Sequence, residues 1–272
     1  MLALHRALLS ALVELALAAL TAVAAYQTSR RARGLARRFW RLIAVSFTLY
    51  TLGQVFYTYY DSVLHASPLL WWPSDALLLS YVAPMAMALF LGDDSAEARV
   101  FSSQRKLDFL QVGIVTFSTY YLFFFYVPGQ SSETANSMML LTWKVKIVRD
   151  VVITAAFALR ALLARSRLVR SLFGPVAVFL LLFSLGDLIY VYVQNWGNMP
   201  DASWYELFWT VPRTLLIGLA ACWTPPAEAE PELDKNSAEP LLLAQFAHIA
   251  LPLLVLVTAA HAQRNHARDE RT

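Results

Sequence analysis

The sequence predicts an all-α fold: a polytopic transmembrane bundle of about eight helices, built as two parallel four-helix repeats. Three observations predict it. The first is composition: of 272 residues, 58% are hydrophobic and 15% charged, and the mean hydropathy is +0.50. An average soluble domain carries about a quarter charged residues, so the polar surface here is too scarce to cover a water-facing globule. The second is run length, since a helix needs about 20 mostly apolar residues to cross a ~30 Å hydrocarbon core. Several stretches reach that length, and none alternates as barrel strands do. The third is a segment that recurs 133 residues later, from Leu52 to Leu185.

Taken in chain order, the crossings are expected at 2–26, 39–61, 74–92, 107–127, 138–162, 172–195, 204–223 and 240–260. Their connections set the sidedness, because Lys and Arg in short loops stay cytoplasmic. The first connection holds Arg30, Arg31, Arg33, Arg37, Arg38 and Arg41. The third holds Arg99, Arg105 and Lys106, and the fifth Arg160, Arg165, Arg167 and Arg170. The intervening loops around 62–73, 128–137 and 196–203 contain neither Lys nor Arg. The amino terminus is therefore expected outside, in a plasma (inner) membrane, and so is the carboxyl terminus after eight crossings. The tail with Arg264, Arg268 and Arg271 fits an outside position poorly, so either the last segment does not cross or a ninth helix follows. A cleaved signal ending near Ala22, Ala24 and Ala25 is the competing reading of the start. It would leave the arginine-rich connection outside, against the charge rule.

The repeat pairs Leu52-Gly53-Gln54-Val55-Phe56-Tyr57-Thr58-Tyr59 with Leu185-Gly186-Asp187-Leu188-Ile189-Tyr190-Val191-Tyr192. The same offset lays the first crossing on the fifth and Arg37 on Arg170; Pro84 meets Pro212 after a shift of five. Residues 1–134 form the first four-helix repeat, 135–261 the second, and 262–272 a polar tail. Four crossings is an even number, so both halves enter from one side and are related by an axis along the membrane normal, as parallel repeats are.

Polar residues at hydrocarbon depth are the informative ones, since each costs on the order of 3 kcal/mol or more unless paired or wet. Tyr50, Gln54, Tyr57 and Asp61 lie on one stripe of the second crossing, and Phe183, Asp187, Tyr190 and Gln194 on the equivalent stripe of the sixth. The fifth carries Lys144, Lys146, Arg149 and Asp150, the first Glu14, and the seventh Glu206 and Arg213. Arg149 and Glu14 stand about ten residues, or ~15 Å, from the outer end, while Asp187 reaches the level of Lys146 and Arg213. The charges should converge in the outer half. One reading is structural ion pairs, Glu14 with Arg149 and Asp187 with Lys146 or Arg213, which are weak evidence of activity. The other is a polar cavity between the repeats, walled by Tyr57, Tyr59, Tyr190, Tyr192, Trp71, Trp72, Trp204 and Trp209. Its candidate ligand-binding residues are Glu14, Gln54, Tyr57, Asp61, Lys146, Arg149, Asp150, Asp187, Tyr190 and Arg213.

Other chemistry is not indicated. The lone Cys222 excludes an internal disulfide framework and multi-cysteine zinc signatures. No G-x-S-x-G, Walker loop, G-x-G-x-x-G or H-E-x-x-H occurs. His5, His65, His248, His261 and His266 lack i,i+4 pairing, and no metal, cofactor or nucleic-acid partner is expected. Lys144 or Lys146 as a Schiff base has no further support. Asp93-Asp94-Ser95-Ala96-Glu97 lacks the second motif that a prenyl-transfer enzyme needs, and Glu228, Glu230, Glu232 and Asp234 read as a solvated linker.

The stretch Leu52-Gly53-Gln54 through Tyr57-Thr58-Tyr59-Tyr60, with Pro73-Ser74-Asp75 and Tyr81-Val82-Ala83-Pro84, resembles the amino-terminal multi-helix membrane input modules of bacterial signalling proteins. In that family such modules precede PAS, GGDEF or histidine-kinase output domains. The resemblance covers most of the chain in pattern and rests on short motifs. It implies a sensory role, with a cytoplasmic output domain or a partner kinase or cyclase; a homodimer is a further expected partner, besides the lipid bilayer. No GGDEF sequence or kinase histidine box is present, so this chain itself is not expected to be an enzyme. An outside carboxyl terminus fits a chain cut before a last crossing.

The leading expectation is therefore a signal-input module that takes a small amphipathic or anionic ligand from the outer leaflet. A small transporter or lipid-handling permease is the alternative. A membrane enzyme acting on an isoprenoid or lipid, with Asp187, Asp61 or Glu14 as acid or base, comes third, because carboxylates at these spacings specify no reaction.

Overall fold

In a computed structural model of the chain, which describes residues 2–62, 64, 74, 77–78, 80–91, 132–164, 166–196 and 207–226, the regular elements among the described residues are all α-helices. They are α1 (Leu2–Arg31), α2 (Gly34–Ser62), α3 (Val82–Leu89), α4 (Ser132–Leu163), α5 (Arg167–Trp196) and α6 (Leu207–Cys222). Outside the described residues lie the crossings expected at 107–127 and 240–260, the tail, the acidic stretches 93–97 and 228–234, and Trp71, Trp72 and Trp204. The side chains of Asp61, Lys144, Gln194 and the five histidines also lie outside them.

Three segments are long and apolar enough to cross a membrane: Leu8–Arg31, Gly34–Tyr60 and Arg167–Tyr190, of 24, 27 and 24 residues. At ~1.5 Å per residue each exceeds a ~30 Å core. The chain is thus a helical membrane protein by length and composition. Its side chains are distributed accordingly. Helix α1 turns Ala18, Thr21, Ala25 and Thr28 inward and presents Leu9, Leu12, Leu20 and Val23 outward. Large apolar residues outside and small ones inside is the arrangement that suits lipid, where close backbone approach replaces hydrophobic burial as the packing force.

The α1–α2 reversal takes two residues, Ala32 and Arg33. The Ala32 N–H still bonds Thr28 O at 2.9 Å, and Gly34 then turns the chain with φ of 51°. A Cβ would be strained at that angle. Arg37 folds back so that its Nε donates to Ala32 O at 3.0 Å, which satisfies a carbonyl left over at the end of α1. The α4–α5 reversal uses the same device, with Arg170 donating to Ala164 O at 2.9 Å.

Packing runs in order around the molecule: α1 on α2, α2 on α3, α3 on α4, α4 on α5, α5 on α6, and α6 back onto α1, with α2 and α5 touching across the middle. The closing seam is fastened by Thr28, whose Oγ1 donates to Ala220 O at 2.7 Å. The central α2–α5 contact is aromatic. Phe39 meets Phe173 at 4.8 Å between ring centroids, Phe47 meets Phe179 at 5.6 Å, and Tyr50 meets Phe183 at 6.4 Å.

Two glycines set how closely the neighbouring helices approach. A Cβ on Gly53 would sit 2.9 Å from Leu78 Cγ, and one on Gly186 would sit 3.1 Å from the carbonyl oxygen of Phe208. Pro212 explains the second approach. It has no N–H to offer the carbonyl four residues before it, which is that of Phe208.

Candidate functional site

The buried charges fall into two groups joined by aromatic rings. In the first group Glu14 of α1 faces Arg213 of α6, with Oε2 3.5 Å from Nη1. Arg213 is 1% exposed, and its Nη2 donates to the phenolic oxygen of Tyr50 on α2 at 2.5 Å. Gln54, one turn on, donates to the same oxygen at 2.9 Å. The guanidinium carbon lies 5.0 Å from the Tyr50 ring centroid and 5.4 Å from that of Phe183, contacts worth about 0.5–2 kcal/mol each when desolvated. Even so, Arg213 Nε and Nη1 make no hydrogen bond. Five guanidinium donors face one phenol and one distant carboxylate, and an unmet donor of a buried charged group costs about 1–3 kcal/mol or more.

In the second group Arg149 bonds its neighbour Asp150 on α4, Nε to Oδ1 at 2.8 Å, and reaches Leu78 O at 3.4 Å. Its guanidinium carbon lies 5.2 Å from the centre of the Tyr81 ring. Asp187 of α5 accepts the indole N–H of Trp209 on α6 at 2.7 Å and also faces Asp150 across the α4–α5 interface. Two carboxyl groups side by side repel when both are charged, and Arg149 beside them offsets that charge. Asp150 Oδ2 is buried without a donor. One turn further, Thr154 and Ser184 exchange a hydrogen bond at 3.2 Å. Tyr50 and Tyr81 connect the groups, edge to face at 5.1 Å.

Seven of the ten sequence-predicted residues have places in this arrangement. Glu14, Gln54 and Arg213 belong to the first group, and Arg149, Asp150 and Asp187 to the second. Tyr190 packs its ring 5.2 Å from that of Trp209. Lys146 is half-buried on α4, one turn before Asp150 and engaged with a neighbour. Tyr57 is exposed on α2, as are Tyr59 and Tyr192, so these three rings do not wall an interior space. The side chain of Asp61 lies outside the described residues.

The expected pairings are corrected. Glu14 pairs with Arg213 instead of Arg149, because α1 packs on α6 while α4 sits between α3 and α5. Arg149 takes its own neighbour Asp150. Asp187 finds Trp209, a ring expected only as part of the cavity wall. Tyr50, Tyr81 and Phe183 are the residues that the prediction left out. Tyr50 stands on the same stripe as Gln54, which was the available signal; Tyr81 had none.

Among the described residues no group of three or more His, Cys, Asp or Glu could hold a metal ion. Chemically, the layer presents a buried guanidinium set between the Tyr50 and Phe183 rings with more donors than acceptors around it. No family model, curated protein or solved structure matches the chain.

Proposed function

We propose that the chain is the multi-pass membrane input module of a bacterial signalling protein, and that it binds a small amphipathic or anionic ligand from the outer leaflet between two four-helix halves. The observation that carries this reading is Arg213: a fully buried guanidinium at the junction of α1, α2, α5 and α6 with no hydrogen bond at Nε or Nη1, the latter only ion-paired with Glu14 at 3.5 Å. An anionic group supplies the acceptors that this guanidinium lacks, at a point where both halves meet.

The eight-helix, two-repeat architecture is supported by the order of packing. Exchanging α1, α2 and α3 for α4, α5 and α6 maps each neighbour pair onto another neighbour pair and leaves the central α2–α5 contact in place. The paired arginine caps at Arg37 and Arg170, 133 residues apart, and the paired close approaches at Gly53 and Gly186 follow the same exchange. An inner-membrane location with the amino terminus outside is supported by the arginine-rich ends of both hairpins. A signal requires that the ligand bind two arrangements of the bundle unequally. An anion on Arg213 competes with Glu14 and so loosens the α1–α6 seam, a movement that an output domain or a partner kinase or cyclase can read.

Titration of decanoate, an amphipathic anion, into the full chain in zwitterionic nanodiscs tests this, with tryptophan fluorescence as the readout. Saturable binding is expected, weakened at least tenfold in Arg213→Gln, since hydrogen bonds to charged groups contribute about 1.5–3 kcal/mol, and strengthened in Glu14→Gln, which removes the competitor. Binding of decyltrimethylammonium as tight as decanoate, or an Arg213→Gln protein that binds decanoate unchanged, overturns the reading. Decanoate flux into sealed vesicles that depends on Arg213 would replace it with the permease.

A further inference from the structure

Among the described residues, the end of the bundle opposite the charged layer carries many arginines and no acidic side chain. Arg30 and Arg31 end α1, Arg33 lies in the turn, and Arg37, Arg38 and Arg41 occupy the first two turns of α2. All six are exposed. Because two residues separate the helices and Arg41 is seven residues into α2, the six positions fall within about 10 Å of the hairpin tip along the helix axes. The neighbouring tip adds exposed Arg167 and Arg170 at the start of α5. Between Glu14 and Asp61 the sequence has no acidic residue, so neither helix of this hairpin supplies a carboxylate near the tip; Arg38 is engaged with a neighbour. Arg37 is held by Ala32 O, so its position is fixed by the turn.

One further feature makes this crowding costly without an anion, and a second adds unmet donors beneath it. The first turn of α2, like that of α5, contains no acidic residue, and cations there oppose the positive end of the helix dipole. Beneath the tip, Trp40 is fully buried and meets Trp223 at 6.2 Å, and the indole N–H groups of both lack a hydrogen-bond partner. The floor under the arginines is a packed aromatic layer: Phe39 and Trp40 stand edge to face at 5.5 Å, and Phe39, Phe157 and Phe173 form one aromatic cluster.

We infer that the arginine tip of the α1–α2 hairpin is a docking site for the phosphate headgroups of anionic phospholipids. The occupant follows from position and chemistry. Helices α1 and α2 are long enough to span the hydrocarbon core, so their shared tip stands at headgroup level, where the lipid phosphate is the nearest abundant acceptor. Guanidinium forks match phosphate oxygens in pairs, and no lysine shares this tip. Membrane charge thereby holds the hairpin that carries Glu14 and Tyr50. This inference does not rest on the ligand reading of the charged layer.

The full chain, purified in a neutral detergent, tests it through retention of added phosphatidylglycerol or phosphatidylcholine, read by native mass spectrometry. Selective retention of phosphatidylglycerol is expected, falling as salt rises. Each arginine near an anionic surface contributes about a five-fold effect, so a variant combining Arg30→Gln, Arg31→Gln, Arg33→Gln and Arg41→Gln should lose on the order of several hundred-fold. Far-UV circular dichroism and the thermal midpoint in phosphatidylcholine establish that this variant is folded. Equal retention of both lipids overturns the inference, as does undiminished phosphatidylglycerol retention by the folded variant, or soluble glycerol phosphate binding as tightly as the lipid. If the variant does not fold, the wild-type salt titration decides: retention insensitive to salt overturns the proposal.

Discussion

Asp187 owes its position to one indole. Trp209 donates to Oδ1, and an Asn at 187 preserves that acceptor while removing the negative charge beside Asp150. Asp187→Asn is therefore expected to stay within about 1 kcal/mol of the wild type, whereas Asp187→Leu leaves a buried N–H unmet at a cost of about 1–3 kcal/mol. Thermal unfolding in zwitterionic nanodiscs measures the difference, and equal midpoints for the two variants would remove the indole from the account. The stripes of Tyr50 and Gln54 on α2 and of Asp187 and Tyr190 on α5 were legible in the sequence because helical spacing alone puts each pair on one face. The pairings were not. Glu14 meets Arg213 because α1 lies against α6, a neighbour relation that no spacing within either helix encodes. Trp209 was expected as one of several rings walling the cavity, with no partner assigned, and its hydrogen bond depends on Gly186 letting α6 come close.

Helix contacts at the element scale are decided by the smallest residues. Gly53 and Gly186 stand where a Cβ would strike Leu78 or the Phe208 backbone, while Gly174 and Gly218 have nothing within 4 Å. The four therefore divide sharply on substitution. Gly174→Ala and Gly218→Ala should stabilise by about 0.5–1 kcal/mol, because alanine restricts the unfolded helix segment more than glycine does. Gly186→Ala should destabilise by about 1–3 kcal/mol through overpacking against a carbonyl that cannot move without the helix. Gly53→Ala should fall between them, since the tip of the Leu78 side chain can yield. A single series of thermal midpoints checks the order, and a Gly186→Ala protein as stable as Gly174→Ala would contradict the close approach. The existence of α1, α2 and α5 was plain from apolar length. Their ends were less so: α1 runs on to Arg31 rather than stopping near residue 26, because Arg37 caps it from the next helix.

For the molecule as a whole, the lone thiol is a natural topology probe. Cys222 ends α6 and is exposed, two residues past the Ala220 carbonyl that Thr28 holds, so it shares its end of the bundle with the arginine tip. A membrane-impermeant maleimide should leave Cys222 unlabelled in intact cells and label it in inverted vesicles; the reverse result would invert the orientation drawn from the loops. The closed order of packing also bears on synthesis. Arg213 follows Glu14 by 199 residues, and at about 5–20 residues per second its arrival takes on the order of 10–40 s. For that interval the first hairpin waits in the bilayer with an acidic side chain unmet, so the nascent chain depends on the insertion machinery until its sixth described helix arrives to close the ring.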